Sequence, residues 1–90
     1  MKRIHIYISG RVQFVAFRRY VRRHAVSLGL TGWVRNLSDG RVEIVAEGHN
    51  DKLITLVGFC KKGSFFAKVD GISVEEEDHK GEFKKFRILR

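Results

Sequence analysis

The chain has 90 residues, 43% hydrophobic and 11% aromatic, and its 18 lysines and arginines against 10 acidic residues give a formal charge of +8. This length predicts one small domain over residues 1–90, and no apolar run approaches the roughly 20 residues of a membrane-spanning helix. The single cysteine excludes an internal disulfide and argues against a Cys/His metal site. A single cysteine also favours a cytoplasmic protein. So does the basic start Met1-Lys2-Arg3, which leads directly into a predicted strand.

An alternating run at the start of the chain predicts a strand over about Arg3–Ser9, with isoleucines on the face that packs against the core. His5 lies on the opposite face, and we expect it at the surface. Apolar residues at three- and four-residue spacing then predict a helix over about Phe17–Leu28, which Gly29 ends in a left-handed conformation. His24 falls on the apolar stripe of this helix, which indicates a partly buried packing residue.

The rest of the chain contains one further helix and four further strands. The strands are predicted at about Thr31–Leu37, Arg41–Glu47, Ala67–Glu76 and Lys84–Leu89, and the helix at about Asp51–Lys61. Ser38-Asp39-Gly40 is a hairpin signal between the first two of these strands. Asn50 is the expected N-cap of the second helix, and Cys60 is expected in its buried stripe. The apolar alternation changes phase at Asp70-Gly71, which predicts an irregularity in that strand.

The order of elements is therefore β-α-β-β-α-β with a short final strand. Two interlocked βαβ units predict an α+β ferredoxin-like sandwich, with two helices on one face of a mostly antiparallel sheet. Right-handed crossovers place the first and third strands beside each other at the centre of that sheet.

The loop between the first strand and the first helix has the features of an anion site. Backbone N–H groups at a helix N-terminus lack helical partners, and with the helix dipole they favour a bound anion such as phosphate. Arg18 is placed in the first helical turn, where its guanidinium could close over the anion with paired hydrogen bonds. Taken alone, a strand, a loop and a helix with one arginine are more often structural than functional.

Further motifs follow this loop in a characteristic order. The stretches are Gly10-Arg11-Val12-Gln13-Phe14-Val15-Ala16-Phe17-Arg18, Gly29-Leu30-Thr31-Gly32-Trp33-Val34-Arg35-Asn36, Asp39-Gly40-Arg41-Val42-Glu43 and Glu47-Gly48. Together they resemble the acylphosphatase family along nearly the whole chain. The pattern of that family runs roughly G-x-V-Q-G-V-x-F-R, G-L-x-G-W-V-x-N, D-G-x-V-E and E-G.

The resemblance implies a hydrolase that cleaves the carboxyl–phosphate bond of small acyl phosphates to a carboxylate and inorganic phosphate. It makes Arg18 and Asn36 the catalytic residues: Arg18 holds the phosphoryl oxygens, and the side-chain carbonyl of Asn36 orients the attacking water. The substrate's own phosphate accepts the proton, and the good carboxylate leaving group makes a metal or other cofactor unnecessary. The implied phosphate-binding loop consists of Arg11, Val12, Gln13, Phe14, Val15, Ala16, Phe17 and Arg18.

The chain departs from the family pattern at two places. Phe14 stands where the family usually has glycine, which can adopt positive φ and let the backbone approach an anion closely. We therefore expect Phe14 to lower the activity relative to a typical family member. Ser64-Phe65-Phe66 replaces a stretch that often contains proline.

Alternatives remain at this level. Without the resemblance, Asn36 is better interpreted as serving the hairpin turn, and Trp33 as packing, with a contact to the acyl group a weaker option. Phe14 leaves open a phosphate-binding or regulatory domain of low activity. The +8 charge also suits nucleic acid, but the third strand has acids where an RNA-binding module needs stacking aromatic rings. We expect a monomer whose partner is a small acyl phosphate or inorganic phosphate, without membrane or nucleic acid.

Overall fold

The computed structural model describes residues 1–90 and contains five strands and two helices. They are β1 (Lys2–Arg11), α1 (Phe17–Ser27), β2 (Thr31–Asn36), β3 (Val42–Gly48), α2 (Asn50–Lys62), β4 (Lys68–Glu77) and β5 (Phe86–Ile88). The strands form one sheet in the order β4-β1-β3-β2-β5, antiparallel throughout except for the parallel pair β2 and β5. The predicted ferredoxin-like sandwich, with the first and third strands adjacent, is confirmed.

The main core lies between the helices and the sheet. It is built from the inward residues of the strands and from the apolar stripes of the helices, including Ile4, Ile6 and Ile8 from β1, Phe17, Val21 and Ala25 from α1, and Leu53, Leu56 and Cys60 from α2. Burial raises the pKa of the Cys60 thiol to about 12, so this side chain stays neutral in the core as predicted. Neither helix is long and apolar enough to cross a membrane.

The start of α2 differs from the prediction. His49, not Asn50, is the N-cap, with extended backbone at φ −68° and ψ 142°. Its carbonyl oxygen accepts hydrogen bonds from the N–H groups of Lys52 and Leu53, at 3.1 and 3.0 Å. No side chain caps the helix. The prediction of Asn50 followed the preference of asparagine for caps, and here the backbone alone sets the boundary.

The predicted irregularity in the fourth strand is confirmed. Ser9 pairs with Gly71, but the next residue, Gly10, pairs two residues away along β4, so Asp70 is left without a partner on β1. A Cβ atom on Gly10, whose φ is +122°, would overlap the carbonyl oxygen of Lys68. Glycine is therefore required here, where β1 bends into the loop that carries the anion-site motif.

His5 lies on the predicted face but is less exposed than expected. Its ring is half-buried on the sheet face away from the helices, with Nε2 2.6 Å from Glu43 Oε2 and Nδ1 3.0 Å from Glu77 Oε2. Burial works to raise the pKa of Glu43, but hydrogen bonds from Arg35, His5 and then Tyr7 outweigh it and hold that pKa below its ordinary value.

A segment between β4 and β5 covers part of the same sheet face. Glu47 on β3 is 2% exposed, and its carboxylate accepts hydrogen bonds from the N–H groups of Lys80 (2.8 Å) and Gly81 (3.2 Å). The guanidinium of Arg3 lies 3.7 Å away. All residues of β3 are buried, on both faces of the strand, which the alternation of its residues does not predict.

Candidate active site

The loop between β1 and α1 has the backbone geometry of an anion-binding concavity. Phe14 and Ala16 adopt left-handed conformations with φ of +61° and +58°, and Ala16 is the N-cap of α1, without a side-chain cap. Among the backbone hydrogen bonds outside the regular elements, none has a donor between Val12 and Ala16. Alternating backbone handedness turns successive N–H groups towards one side, as in the phosphate-binding loops of other proteins.

Hydrogen bonds fix this loop from both sides. On one side the Gln13 side-chain amide donates to the carbonyl oxygens of Leu37 (2.7 Å) and Arg41 (2.9 Å), in the hairpin between β2 and β3. On the other side the hydroxyl of Ser64 donates to the carbonyl oxygen of Val15 (3.1 Å). The loop is therefore held in place without its own backbone N–H groups being used.

A cavity of about 160 Å³ opens above the loop and the start of α1. Every charged residue that lines it is an arginine, so its charge suits an anion. Arg18 belongs to this lining, and its Nη1 donates a hydrogen bond to the carbonyl oxygen of Leu89 (3.1 Å), which helps to hold the guanidinium in position. The lining consists of Val12, Phe14, Ala16, Phe17, Arg18, Arg19, Asn36, Ile88 and Arg90.

Asn36, the last residue of β2, lines the cavity, and its side chain carries an acceptor without a partner. Its Oδ1 is buried and has no hydrogen-bond partner. A buried carbonyl oxygen without a donor costs about 1–3 kcal/mol, so its presence needs an explanation such as a bound water or ligand. The two residues that the resemblance made catalytic therefore line one cavity.

The hairpin turn does not use the Asn36 side chain. Its backbone bonds run from Leu37 N–H to the Arg41 carbonyl (2.8 Å) and from Gly40 N–H to the Leu37 carbonyl (3.2 Å). Asp39 supplies the turn's side-chain acceptor, at 3.1 Å from the Arg41 N–H. The hydrogen bonds that the Arg41 N–H and guanidinium donate to Asp39 lower the pKa of its carboxyl group. The turn thus gives no structural reason for an asparagine at position 36.

The remaining predicted loop residues divide into two groups. Five of the eight line the cavity, while Arg11, Gln13 and Val15 do not and bond instead to the flanking segments. Three further lining residues were missed: Arg19, Ile88 and Arg90. Arg19 follows Arg18 in the first turn of α1, and the other two reach the site because β5 pairs with β2, which no sequence spacing signals.

The opposite sheet face does not favour RNA binding. Its acids Glu43, Glu47 and Glu77 are engaged in the bonds described above, and a guanidinium covers each of two aromatic rings: Arg41 lies 4.8 Å from the Tyr7 ring and Arg35 lies 5.1 Å from the Trp33 ring. Trp33 lines a separate cleft and does not reach the cavity of Arg18. No group of three or more His, Cys, Asp and Glu side chains could hold a metal ion.

The comparisons with known proteins agree with this geometry. The family model described as Acylphosphatase matches residues 4–88. An acylphosphatase of Syntrophobacter fumaroxidans is 53% identical over 87 residues, covering 97% of this chain and 90% of the relative. An acylphosphatase of Methylococcus capsulatus is 50% identical over 90 residues, covering 100% and 98%.

The fold comparison gives the same answer. The crystal structure of the acylphosphatase from Bacillus subtilis has a TM-score of 0.97, with 43% identity and complete coverage of both chains. A match of this extent, in sequence and in fold, includes both the loop that precedes α1 and the hairpin that follows Asn36. The chain is a member of the acylphosphatase family.

Proposed function

We propose that the chain hydrolyses small acyl phosphates in the cavity that Arg18 and Asn36 line. In this proposal the free N–H groups of the loop and the Arg18 guanidinium bind the phosphoryl group, and Asn36 Oδ1 accepts a hydrogen bond from the attacking water. The observation that carries the proposal is the arginine-lined cavity that Arg18 and Asn36 share, beside a loop whose backbone N–H groups have no hydrogen-bond partner.

Binding of the phosphoryl group rests on charge and on directed donors. The planar fork of Arg18 matches two phosphoryl oxygens, and each charge-assisted hydrogen bond contributes about 1.5–3 kcal/mol. The loop adds donors that need no rearrangement during the reaction, because Gln13 and Ser64 already hold it. We assign the phosphate-binding role to Arg11–Arg18, with Arg11, Gln13 and Val15 contributing through the loop backbone.

The chemical step requires little from the protein. The water oxygen forms a bond to phosphorus while the bond from phosphorus to the acyl oxygen breaks, and the carboxylate leaves with the electron pair. Asn36 cannot take a proton at neutral pH, so it orients the water and a phosphoryl oxygen accepts the proton. The products are a carboxylate and inorganic phosphate, and no step calls for a cofactor.

The wider setting is part of the same proposal. We propose that residues 1–90 act as a single domain and as a monomer in the cytoplasm, on a small-molecule acyl phosphate. The +8 charge supports attraction of such anions, and the neutral, buried thiol of Cys60 is compatible with a reducing compartment.

The test is hydrolysis of benzoyl phosphate by the wild type, Arg18→Ala and Asn36→Ala, with inorganic phosphate as competitive inhibitor. Arg18→Ala should weaken phosphate inhibition more than tenfold and abolish most turnover. Asn36→Ala should lower kcat by about 10²–10³, the size of the effect when one oriented polar group is lost. Its phosphate inhibition should stay near the wild-type value and its thermal stability should not fall, because Oδ1 bonds to no protein group.

Arg23→Ala is the matched control, because Arg23 is an exposed arginine of α1 that does not line the cavity. It removes the same charge from the same helix, and we expect turnover to change less than twofold. If Arg18→Ala and Asn36→Ala both behave like this control, the proposed site is wrong.

A further inference from the structure

The three most exposed large hydrophobic side chains of the protein are all phenylalanines. Phe14 is 96% exposed, Phe65 93% and Phe66 68%. An exposed ring contributes no burial free energy to folding. Phe14 also has the strain of a left-handed backbone, at φ +61°. A group of exposed apolar side chains in one region of a small protein indicates a contact surface.

The segments that carry these rings are joined to each other. Arg11 Nε donates to the carbonyl oxygen of Phe66 (3.3 Å), and the Ser64 hydroxyl donates to the carbonyl oxygen of Val15 (3.1 Å). The rings of Phe65 and Phe66 meet edge to face, with centroids 4.9 Å apart. Phe14 lies on the phosphate loop itself and lines the cavity of Arg18. We call these three phenylalanines the aromatic rim.

The position of the rim fits the leaving group of the reaction. The phosphate loop follows β1, which lies between β4 and β3 in the sheet. On one flank is the hairpin that follows Asn36, bonded to the loop through Gln13, and on the other is the segment before β4 with Phe65 and Phe66. In phosphoryl transfer the attacking and leaving oxygens lie roughly in line through phosphorus. A water held by Asn36 therefore directs the acyl group towards the flank of the rim.

We propose that Phe14, Phe65 and Phe66 contact the acyl group of the substrate and make the enzyme favour acyl phosphates with aromatic or other large apolar acyl groups. The inference rests on the proposed function, since it needs the phosphate to sit between Arg18 and Asn36. The aromatic rim is continuous with the cavity of Arg18, because Phe14 belongs to the rim and also lines the cavity. We therefore take the substrate as the occupant of the rim.

The test compares benzoyl phosphate with acetyl phosphate, which share the reacting group and differ in apolar surface. We expect the double variant Phe65→Ala, Phe66→Ala to lower the benzoyl-to-acetyl ratio of kcat/KM by about tenfold, equivalent to about 1.4 kcal/mol, mainly through KM for benzoyl phosphate. Phe14→Ala, which keeps a Cβ atom on the strained backbone, should lower the same ratio. Inhibition by inorganic phosphate should not change in the double variant, because its binding site is untouched.

The control is Ile54→Ala, an exposed apolar residue of α2 away from both segments (64% exposed), and it should leave the ratio unchanged. An equal loss on both substrates, or no loss at all, overturns the rim as an acyl site. So does a wild type that dimerises at assay concentrations while the double variant is monomeric, because the rings then serve a second copy. Failure of the proposed catalytic site would appear separately, as wild-type rates in Arg18→Ala and Asn36→Ala.

Discussion

Gln13, in the loop between β1 and α1, donates a hydrogen bond of 2.7 Å to the carbonyl oxygen of Leu37, the residue after Asn36. A second bond from the same amide reaches the Arg41 carbonyl across the hairpin. Both partners are carbonyl oxygens, so the amide nitrogen must face them and the orientation of the side chain is unambiguous. One side chain thus sets the distance between the loop N–H groups and Asn36.

We predict that Gln13→Ala lowers kcat by about 10- to 100-fold with little change in inhibition by inorganic phosphate. A shift of about 1 Å between reacting groups has an effect of this order, while the proposed phosphate contacts belong to the loop and Arg18. Gln13→Glu should be at least as damaging, because a carboxylate cannot donate to either carbonyl. The measurement is steady-state hydrolysis of acetyl phosphate with phosphate as inhibitor.

Ser64→Ala is the matched control for Gln13. It also removes a side-chain bond to the loop, but on the flank away from Asn36. We expect its kcat to fall less than fivefold. If Ser64→Ala and Gln13→Ala have equal effects, the role of Gln13 is to stabilise the loop in general and not to position Asn36.

Phe14→Gly should make the protein more stable. A non-glycine residue in left-handed backbone costs about 1–2 kcal/mol, and glycine returns roughly 0.5–1 kcal/mol of this through the entropy of the unfolded chain. No burial is lost, because Phe14 is almost fully exposed. The free energy of unfolding in urea should therefore rise by about 0.5–1 kcal/mol. Ala16→Gly, at φ +58°, should behave similarly, whereas Val15→Gly should destabilise.

The same variant tests the lowered activity expected from Phe14. That expectation assumed that phenylalanine would distort the loop, but Phe14 keeps the left-handed φ that glycine adopts readily. We therefore predict that Phe14→Gly hydrolyses acetyl phosphate at a rate within threefold of the wild type. A tenfold gain in kcat would instead restore the interpretation of the chain as a domain of low activity.

The elements could be predicted because their signals are local, whereas the catalytic roles of Arg18 and Asn36 come from the family resemblance and stay a prediction. Helical spacing places the start of α1 at Phe17, where the structure has it, and the end at Leu28, one residue beyond Ser27. Asp39-Gly40 specifies the hairpin, and the phase change at Asp70 specifies the irregularity of β4. Each of these depends on neighbours along the chain, which the sequence displays directly.

The surroundings of His5 and Glu47 could not be predicted, because they depend on contacts between distant segments. Alternation along a strand tells which residues share a face but not what covers that face. On the face away from the helices, Glu77 of β4 contacts His5, and the segment around Lys80 and Gly81 covers Glu47. The contribution of Arg90 to the cavity has the same origin, since it depends on the parallel pairing of β5.

His24 should make stability depend on pH just below neutrality. Its ring stacks on Phe59 with centroids 3.7 Å apart, and burial, with the charges of Arg23 and Lys62, lowers its pKa below the ordinary 6.5. The unfolded chain therefore binds the proton more readily, so stability is greatest above pH 6.5 and decreases as the pH falls through that value. In urea titrations at pH 7.5 and 5.5, His24→Phe should lose less stability than the wild type. Equal losses in the two proteins would contradict this origin.

Glu47 should be the most sensitive acidic residue for stability. Glu47→Ala leaves the N–H groups of Lys80 and Gly81 without their acceptor beneath a covered face, and loss of a buried charged partner costs about 3 kcal/mol. Glu47→Gln keeps one acceptor oxygen and should cost about 1 kcal/mol. Glu76→Ala is the control, because its bond to Lys2 is exposed and worth less than about 1 kcal/mol. A Glu47→Ala loss no larger than that of Glu76→Ala would show that the segment between β4 and β5 is held by other contacts, with Glu47 only filling the space beneath it.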